Sequence, residues 1–227
     1  MIITIDGPVA SGKSTIAQRL AHDLGFYYLY TGLLYRGIAY VLVHQYGYDD
    51  VMLKTPKQAD VNAVLKAGRL VYRYEREQAQ VWYDEINITP FLKTKEIDAT
   101  SSISSADPYV RAAILQLQVR IGQEHDIVAD GRDMGTVVFP QAVCKFFLTA
   151  SPEVRAARWQ ADQLRAGKEY AMAEALQVVS MRDERDTTRE HSPLKPALDA
   201  IIVDNSSLDI AQTVAYMRQI IDQRWGG

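Results

Sequence analysis

The chain opens on Ile2-Ile3-Thr4-Ile5, an apolar, β-branched run that reads as a strand buried on both faces. From Ile16 to Leu24 apolar residues recur at helical spacing and stop at Gly25. Phe26–Tyr30 reads as a second short strand. Thr31-Gly32 then opens a helix over roughly Leu33 to Tyr46, closed by Gly47-Tyr48-Asp49-Asp50. The texture changes between about Pro56 and Ser102. There Leu70–Tyr74 and Val81–Tyr83 predict antiparallel strands around a polar turn near Arg76–Gln78, which makes this span a small β-rich insertion. Asp107-Pro108 supplies an N-cap and a first-turn proline for another helix.

Beyond it, Ile127–Ala129, Val143–Thr149 and Ile201–Val203 predict three more strands. Helices are predicted from Ser151-Pro152-Glu153, over about Tyr170 to Glu190, and from Leu208 to Ile221, with a break at Gly167. Strands alternating with helices predict a three-layer α/β core with a parallel sheet and helices on both faces. One domain over residues 1–227 is the expected organisation, with no internal repeat.

Between the first strand and helix lies Gly7-Pro8-Val9-Ala10-Ser11-Gly12-Lys13-Ser14-Thr15, which fits G-x-x-x-x-G-K-[ST] in the strand–loop–helix context this phosphate-binding loop requires. Glycines let the backbone wrap closely around a phosphate chain, and the helix N-terminus favours the same anion. Lys13 is expected to reach the β/γ-phosphates, and the Ser14 hydroxyl to ligate Mg²⁺.

Further charges fall where strands end, the ligand-binding edge of an open α/β sheet. Asp130 ends the strand begun at Ile127, placed either to orient Mg²⁺ or its water or to cap its own loop; Arg132 and Asp133 follow at once, as site residues or as a solvated loop. Arg182, Arg185, Asp186 and Arg189 have relative spacings of 0, 3, 4 and 7, one face of the predicted helix. Either Asp186 neutralises its neighbours internally or a phosphate-bearing ligand does. Arg155 and Arg158 repeat the pattern at i and i+3, facing solvent or an anion. Arg36 near a helix start opposes the helix dipole, which a bound phosphate would reconcile; a surface position is the other reading.

Bulk composition narrows the class. With 227 residues, 48% hydrophobic and 23% charged, the chain is an ordinary globular protein. A net charge of −3 gives no global field for nucleic acid. The single cysteine, Cys144, lies in an apolar run and reads as core. No run approaches about 18 apolar residues, so a cytoplasmic, soluble protein with no membrane partner is expected. A monomer is expected, since no long heptad or spare apolar face stands out.

These residues match a family. The chain closely resembles bacterial cytidylate kinase (CMP kinase), a P-loop nucleoside monophosphate kinase, nearly end to end. The resemblance rests on Ile3-Thr4-Ile5-Asp6-Gly7-Pro8 with Gly12-Lys13-Ser14-Thr15, Thr31-Gly32 with Tyr35-Arg36, the unusual segment 129–140, and Arg182, Arg185-Asp186 and Arg189. It implies ATP-dependent phosphorylation of CMP and dCMP, with Mg²⁺. It implies a core, a monophosphate-binding part with the insertion (about 31–105), and a short helical lid (about 155–168). Arg36, Arg132 and Arg189 would hold the CMP phosphate. Thr31 also belongs to the acceptor side, Ser102, Arg111 and Asp133 would meet the cytosine edge, and Asp186 with Arg182 the ribose. Arg155 and Arg158 would close on the ATP phosphates, with Arg185 a further candidate. Lys13, Arg132, Arg182, Arg185, Asp186 and Arg189 form the expected catalytic set. Tyr30 stands where the family usually carries an aspartate. The rival readings are a P-loop kinase for UMP or AMP and a nucleotide-binding regulatory module. Switches of the latter class that read guanine use an N-K-x-D segment, which this chain lacks.

Overall fold

The computed structural model describes residues 1–225. In chain order the elements are β1 (Ile2–Asp6), α1 (Lys13–Leu24), β2 (Tyr27–Tyr30), α2 (Thr31–Tyr46), α3 (Gln58–Leu65), β3 (Leu70–Glu75), β4 (Gln78–Tyr83), β5 (Ile86–Asn87), α4 (Lys95–Ser104), α5 (Pro108–Glu124), β6 (Ile127–Gly131), β7 (Cys144–Thr149), α6 (Pro152–Arg165), α7 (Met172–Thr188), β8 (Ile201–Asp204) and α8 (Ile210–Trp225). They form two compact units, one of Met1–Phe26 with the chain from Ile127 onward, the other Tyr27–Asp126.

In the first unit, strands lie side by side in the order β6-β1-β7-β8, all parallel. Ile2 faces Ile127 and Asp6 faces Gly131, while Ile5 faces Phe146 on the other side. Flanked on both edges, β1 buries Ile3, Thr4, Ile5 and Asp6, as its apolar run predicts. Cys144 is a buried core residue whose thiol is pushed up to about 12 by burial, which excludes it as a nucleophile near neutral pH. Parallel pairing carries all four carboxyl ends to one edge of the sheet. The loop after β1, Asp130 on β6, the Ser151 cap of α6 after β7, and Asn205 after β8 therefore share that edge.

In the second unit, β3, β4 and β5 form the antiparallel sheet expected of the insertion. Its register pairs Glu75 with Gln78, leaving a two-residue hairpin loop, Arg76-Glu77. Both loop residues have positive φ, 50° and 61°, the twist that suits a two-residue hairpin. The span 56–102 is less β-rich than its texture predicts, because it also holds α3 and most of α4. The second half of α4, Thr100 to Ser104, is poor in helix formers, but Thr94 caps the helix by accepting from the Ile97 N–H. Ile97, Thr100, Ser101 and Ser104 form its buried stripe, and that tertiary burial overrides propensity.

Asp107 and Ser151 cap their helices through the Val110 and Val154 N–H groups, as expected. α7 ends at Thr188, and Arg189 is its C-terminal cap, with extended backbone. The predicted helix to Glu190 is therefore too long, and Arg189 sits at its C-terminal cap, where its N–H still donates to Arg185 O at 3.2 Å. The chain leaves the helix because the Arg189 Nε donates to Ser192 O and the Leu194 N–H to Asp186 O, both incompatible with a further turn.

Gly7 shows how tightly the loop leaves β1. A Cβ there would lie 2.1 Å from the Leu148 carbonyl oxygen of β7. Gly7→Ala should therefore destabilise the fold by roughly 1–3 kcal/mol, the cost of overpacking a close-packed site. Urea denaturation reads this directly; an unchanged midpoint would mean that the ends of β1 and β7 separate freely.

Candidate active site

The loop from Gly7 to Gly12 is held by contacts to its outer side. Val9 is buried against Ala156, Ala175 and Val179, in a small core that joins the loop to α6 and α7. The Arg155 guanidinium donates to the carbonyls of Ala150 (3.0 Å) and Val9 (3.3 Å) and to the Asp183 carboxylate (2.5 Å). Arg158 donates to Ser11 O at 3.2 Å and to both the side chain and backbone oxygens of Asn205 at 3.0 Å. The Asn205 amide also donates to Ser11 O, at 3.1 Å. Arg155, Arg158 and Asn205 thus engage the carbonyls of Val9 and Ser11. Ala10 and Gly12 take left-handed backbone, φ 57° and 85°, and such reversals let successive N–H groups face one concavity. The solvated-face reading of Arg155 fails, since only 7% of the residue is exposed.

Lys13, Ser14 and Thr15 form the first turn of α1. The Lys13 ammonium donates to Pro8 O at 3.0 Å. The Ser14 hydroxyl donates to Asp130 Oδ2 at 2.6 Å, so the hydroxyl and the strand-end carboxylate proposed for metal are in direct contact. Asp130 is buried, as is Asp133. Arg132 Nε donates to Asp186 Oδ2 at 2.6 Å. Asp186 is thus neutralised internally, first by Arg132 of the β6 loop, with Arg189 at the end of α7 and Lys13 adding to it. Burial works to raise its pKa, and the Arg132 pair outweighs that to hold it below the ordinary value.

Asp6 has a role the sequence reading left unassigned. Its carboxylate accepts from the Met134 and Gly135 N–H groups, both at 2.8 Å. These open a wide turn over Met134–Val138, which follows Arg132 and Asp133 directly. Asp6 therefore fixes the segment 129–140 to the end of β1. Burial pushes its carboxyl up to about 6 against those two hydrogen bonds. Asp183 and Asn205 were likewise unassigned. Asp6 and Asn205 each stand at the carboxyl end of a parallel strand, and that position alone could have flagged them.

The remaining candidates lie in the second unit. Thr31 is the buried first residue of α2, and Arg36 lies on its second turn. Arg36 donates to Asp98 Oδ1 at 2.7 Å and to the Tyr30 hydroxyl at 3.3 Å. The carboxylate that meets Arg36 thus comes from α4, and the residue before Thr31 contributes a phenol. Ser102 lies one turn beyond Asp98 on α4. Arg111, buried on α5, donates to Ser105 O at 3.1 Å and lies over the Tyr35 ring, 5.5 Å from its centre.

A glycine-rich loop set between a central parallel strand and a helix, with a lysine and a serine opening that helix, is built to hold a phosphate chain, and the protein belongs to the P-loop class. Comparison with known proteins narrows the class. A family model described as cytidylate kinase matches residues 3–223. The cytidylate kinase of Xanthobacter autotrophicus is 39% identical over 229 residues, covering 100% of both chains. That of Thermodesulfovibrio yellowstonii is 38% identical over 215 residues, covering 94% of each. A solved structure of an uncharacterised protein from Eubacterium ventriosum matches with a TM-score of 0.51 at 12% identity over 99% of each chain, a likeness of fold alone. The chain belongs to the cytidylate kinase family.

Lys13 carries the clearest electrostatic signature. Burial, then repulsion from Arg132, pushes its ammonium down from 10.5 to about 7, against the pull of Asp130, Asp186 and Asp6. Between about pH 7 and 10.5 the unfolded chain binds the extra proton. The cost of burying this charge is therefore full below pH 7 and fades as pH rises towards 10.5. Lys13→Met should unfold at a higher temperature than the parent at pH 6, with the gap narrowing by pH 9.5. A gap independent of pH would remove Lys13 as the titrating group.

Proposed function

We propose that this chain transfers the γ-phosphoryl group of ATP to CMP or dCMP, giving ADP and CDP or dCDP. The observation that carries this reading is the loop itself: Lys13 and the contact of Ser14 with Asp130 stand at its mouth, in a chain of the cytidylate kinase family. The loop, residues 7–15, takes the ATP phosphates. Ser14 and Asp130 offer the hard oxygen donors that suit Mg²⁺, which would enter with the nucleotide and neutralise phosphate charge.

Acceptor recognition is assigned to Thr31, Arg36, Ser102 and Arg111 in the second unit and to Arg132, Asp133, Arg182, Asp186 and Arg189 in the first. Arg132, Arg182, Arg185 and Arg189 supply positive charge against the transferring group. The acceptor is a phosphate oxygen already ionised at neutral pH, so the reaction needs no strong general base. Positioning and electrostatic stabilisation of spread-out charge suffice. Closure over the nucleotide falls to the exposed far end of the α6–α7 hairpin around Gly167, because Arg155 and Arg158 are already bonded to the loop.

Base choice is assigned to Asp133, Arg111 and Ser102. A carboxylate beside ring position 4 accepts from the cytosine amino group, but faces a carbonyl in uracil. Arg111 and Ser102 donate to the O2/N3 edge, and donation to N3 again suits cytosine only. A buried carboxylate left without a donor costs about 1–3 kcal/mol or more, and 1.4 kcal/mol is about a factor of ten. A coupled assay of ADP release against CMP, dCMP, UMP and AMP tests the reading. CMP should exceed UMP in kcat/KM by at least about tenfold, and Lys13→Ala should lower kcat by roughly 10²–10⁴-fold. Asp133→Ala should lower CMP activity and shrink the CMP/UMP ratio. Acceptor-independent ATP hydrolysis as the main activity would overturn the reading.

A further inference from the structure

We infer that Tyr30 and Asp98 are positioning residues that hold the Arg36 guanidinium aligned for the phosphate of the monophosphate acceptor. The inference rests on the acceptor role proposed above for Arg36 and adds the two residues that make that role effective.

Arg36 is gripped from two elements. Its NH2 group donates to Asp98 Oδ1 of α4 at 2.7 Å, and its NH1 group to the Tyr30 hydroxyl at 3.3 Å. These use two of the five guanidinium N–H groups and leave the others to meet an anion. The Arg36 side chain keeps 22% of its surface exposed, so it remains reachable.

Tyr30 is itself fixed. Its backbone N–H donates to the Tyr72 hydroxyl at 2.9 Å, and that hydroxyl donates to Tyr28 O at 2.8 Å. Its ring stacks nearly parallel to Tyr28, at 8° and 6.1 Å. It also lies against Gly32, where a Cβ would come 3.0 Å from Tyr30 Cε2. Tyr72 belongs to β3, so the antiparallel sheet fastens the strand end that carries the phenol. Asp98 precedes Ser102 by one turn on α4, and the same helix thus carries the arginine's anchor and a candidate for the base edge.

A free arginine loses rotamer freedom when it binds an anion. One already held by a phenol and a carboxylate has lost that freedom on folding, and more of the contact appears as acceptor affinity. The carboxylate also keeps the partly buried guanidinium balanced before the phosphate arrives.

The test is steady-state kinetics and inhibition by cytidine, which shares the base and sugar of CMP but lacks the phosphate. Asp98→Ala should raise KM for CMP by about tenfold, the range for one charge-assisted hydrogen bond. Asp98→Asn, which keeps the shape, should give a smaller rise, and Tyr30→Phe about threefold or less. KM for ATP and the cytidine inhibition constant should move less than twofold. In an Arg36→Ala background, Asp98→Ala should add little, because both act through one guanidinium. Equal weakening of CMP and cytidine, or a full further loss without Arg36, would overturn the inference in favour of a general structural role. An unchanged KM for CMP in Asp98→Ala and Tyr30→Phe would overturn it too. A parent protein that fails to phosphorylate CMP would instead overturn the proposed function.

Discussion

The structure turns on how the loop after β1 is held open from outside. The carbonyls of such a tight, buried loop need donors of their own. Arg155, Arg158 and Asn205 supply those donors for Val9 and Ser11. Arg155 would be an isolated buried charge but for Asp183, and that pair draws α7 into the support. Val9 adds an apolar anchor in the core shared by α6 and α7. Loop, α6, α7 and the end of β8 are therefore one mechanical assembly. A change in any of them reaches the phosphate-binding backbone without touching a ligand.

The same edge of the sheet gathers Asp6, Lys13, Asp130, Arg132, Asp133 and Asp186. Such density is expensive to desolvate, and a buried ion pair is weak evidence for stability. Here each charge has a positional consequence. Arg132 is fixed to Asp186, Ser14 to Asp130, and the segment after Asp133 to Asp6. Geometry for binding an anion is bought with folding stability, and the depressed Lys13 and elevated Asp6 record that exchange.

The fold was largely legible in the sequence because its strands are short apolar runs between clear caps. Asp107, Ser151, Gly25 and Gly47 all mark helix ends as their chemistry dictates. The loop was legible because a spacing of glycines, lysine and serine has one structural meaning. α4 was missed because its second half, Thr100 to Ser104, favours other conformations, and burial in the folded unit holds it as a helix. The end of α7 falls short of its pattern because Arg189 turns away to donate to Ser192 O, just before Pro193, and the Leu194 N–H takes the Asp186 carbonyl. Partners were hardest to read. Arg155 pairs with Asp183, 28 residues away, and Arg36 with Asp98, 62 residues away. Helical spacing suggested Asp186 with its own arginines, whereas the fold brings it Arg132 from another element as its first partner.

Long-range pairing also explains how Tyr30 fits this chain. An arginine with 22% of its side chain exposed needs a counter-charge, but the charge need not come from the adjacent strand end. Asp98 supplies it from α4, which leaves position 30 to a neutral phenol that adds a weaker hydrogen bond and a stacking surface. The phenol in turn demands space, which Gly32 provides, and a fixed backbone, which Tyr72 provides from β3. A single residue at the strand end thus carries constraints into α2, α4 and the antiparallel sheet. Replacing Tyr30 by aspartate would set two carboxylates on one guanidinium, and like charges around one arginine disfavour a phosphate approaching it. Tyr30 and Asp98 thus divide the grip on Arg36 into one neutral and one charged contact.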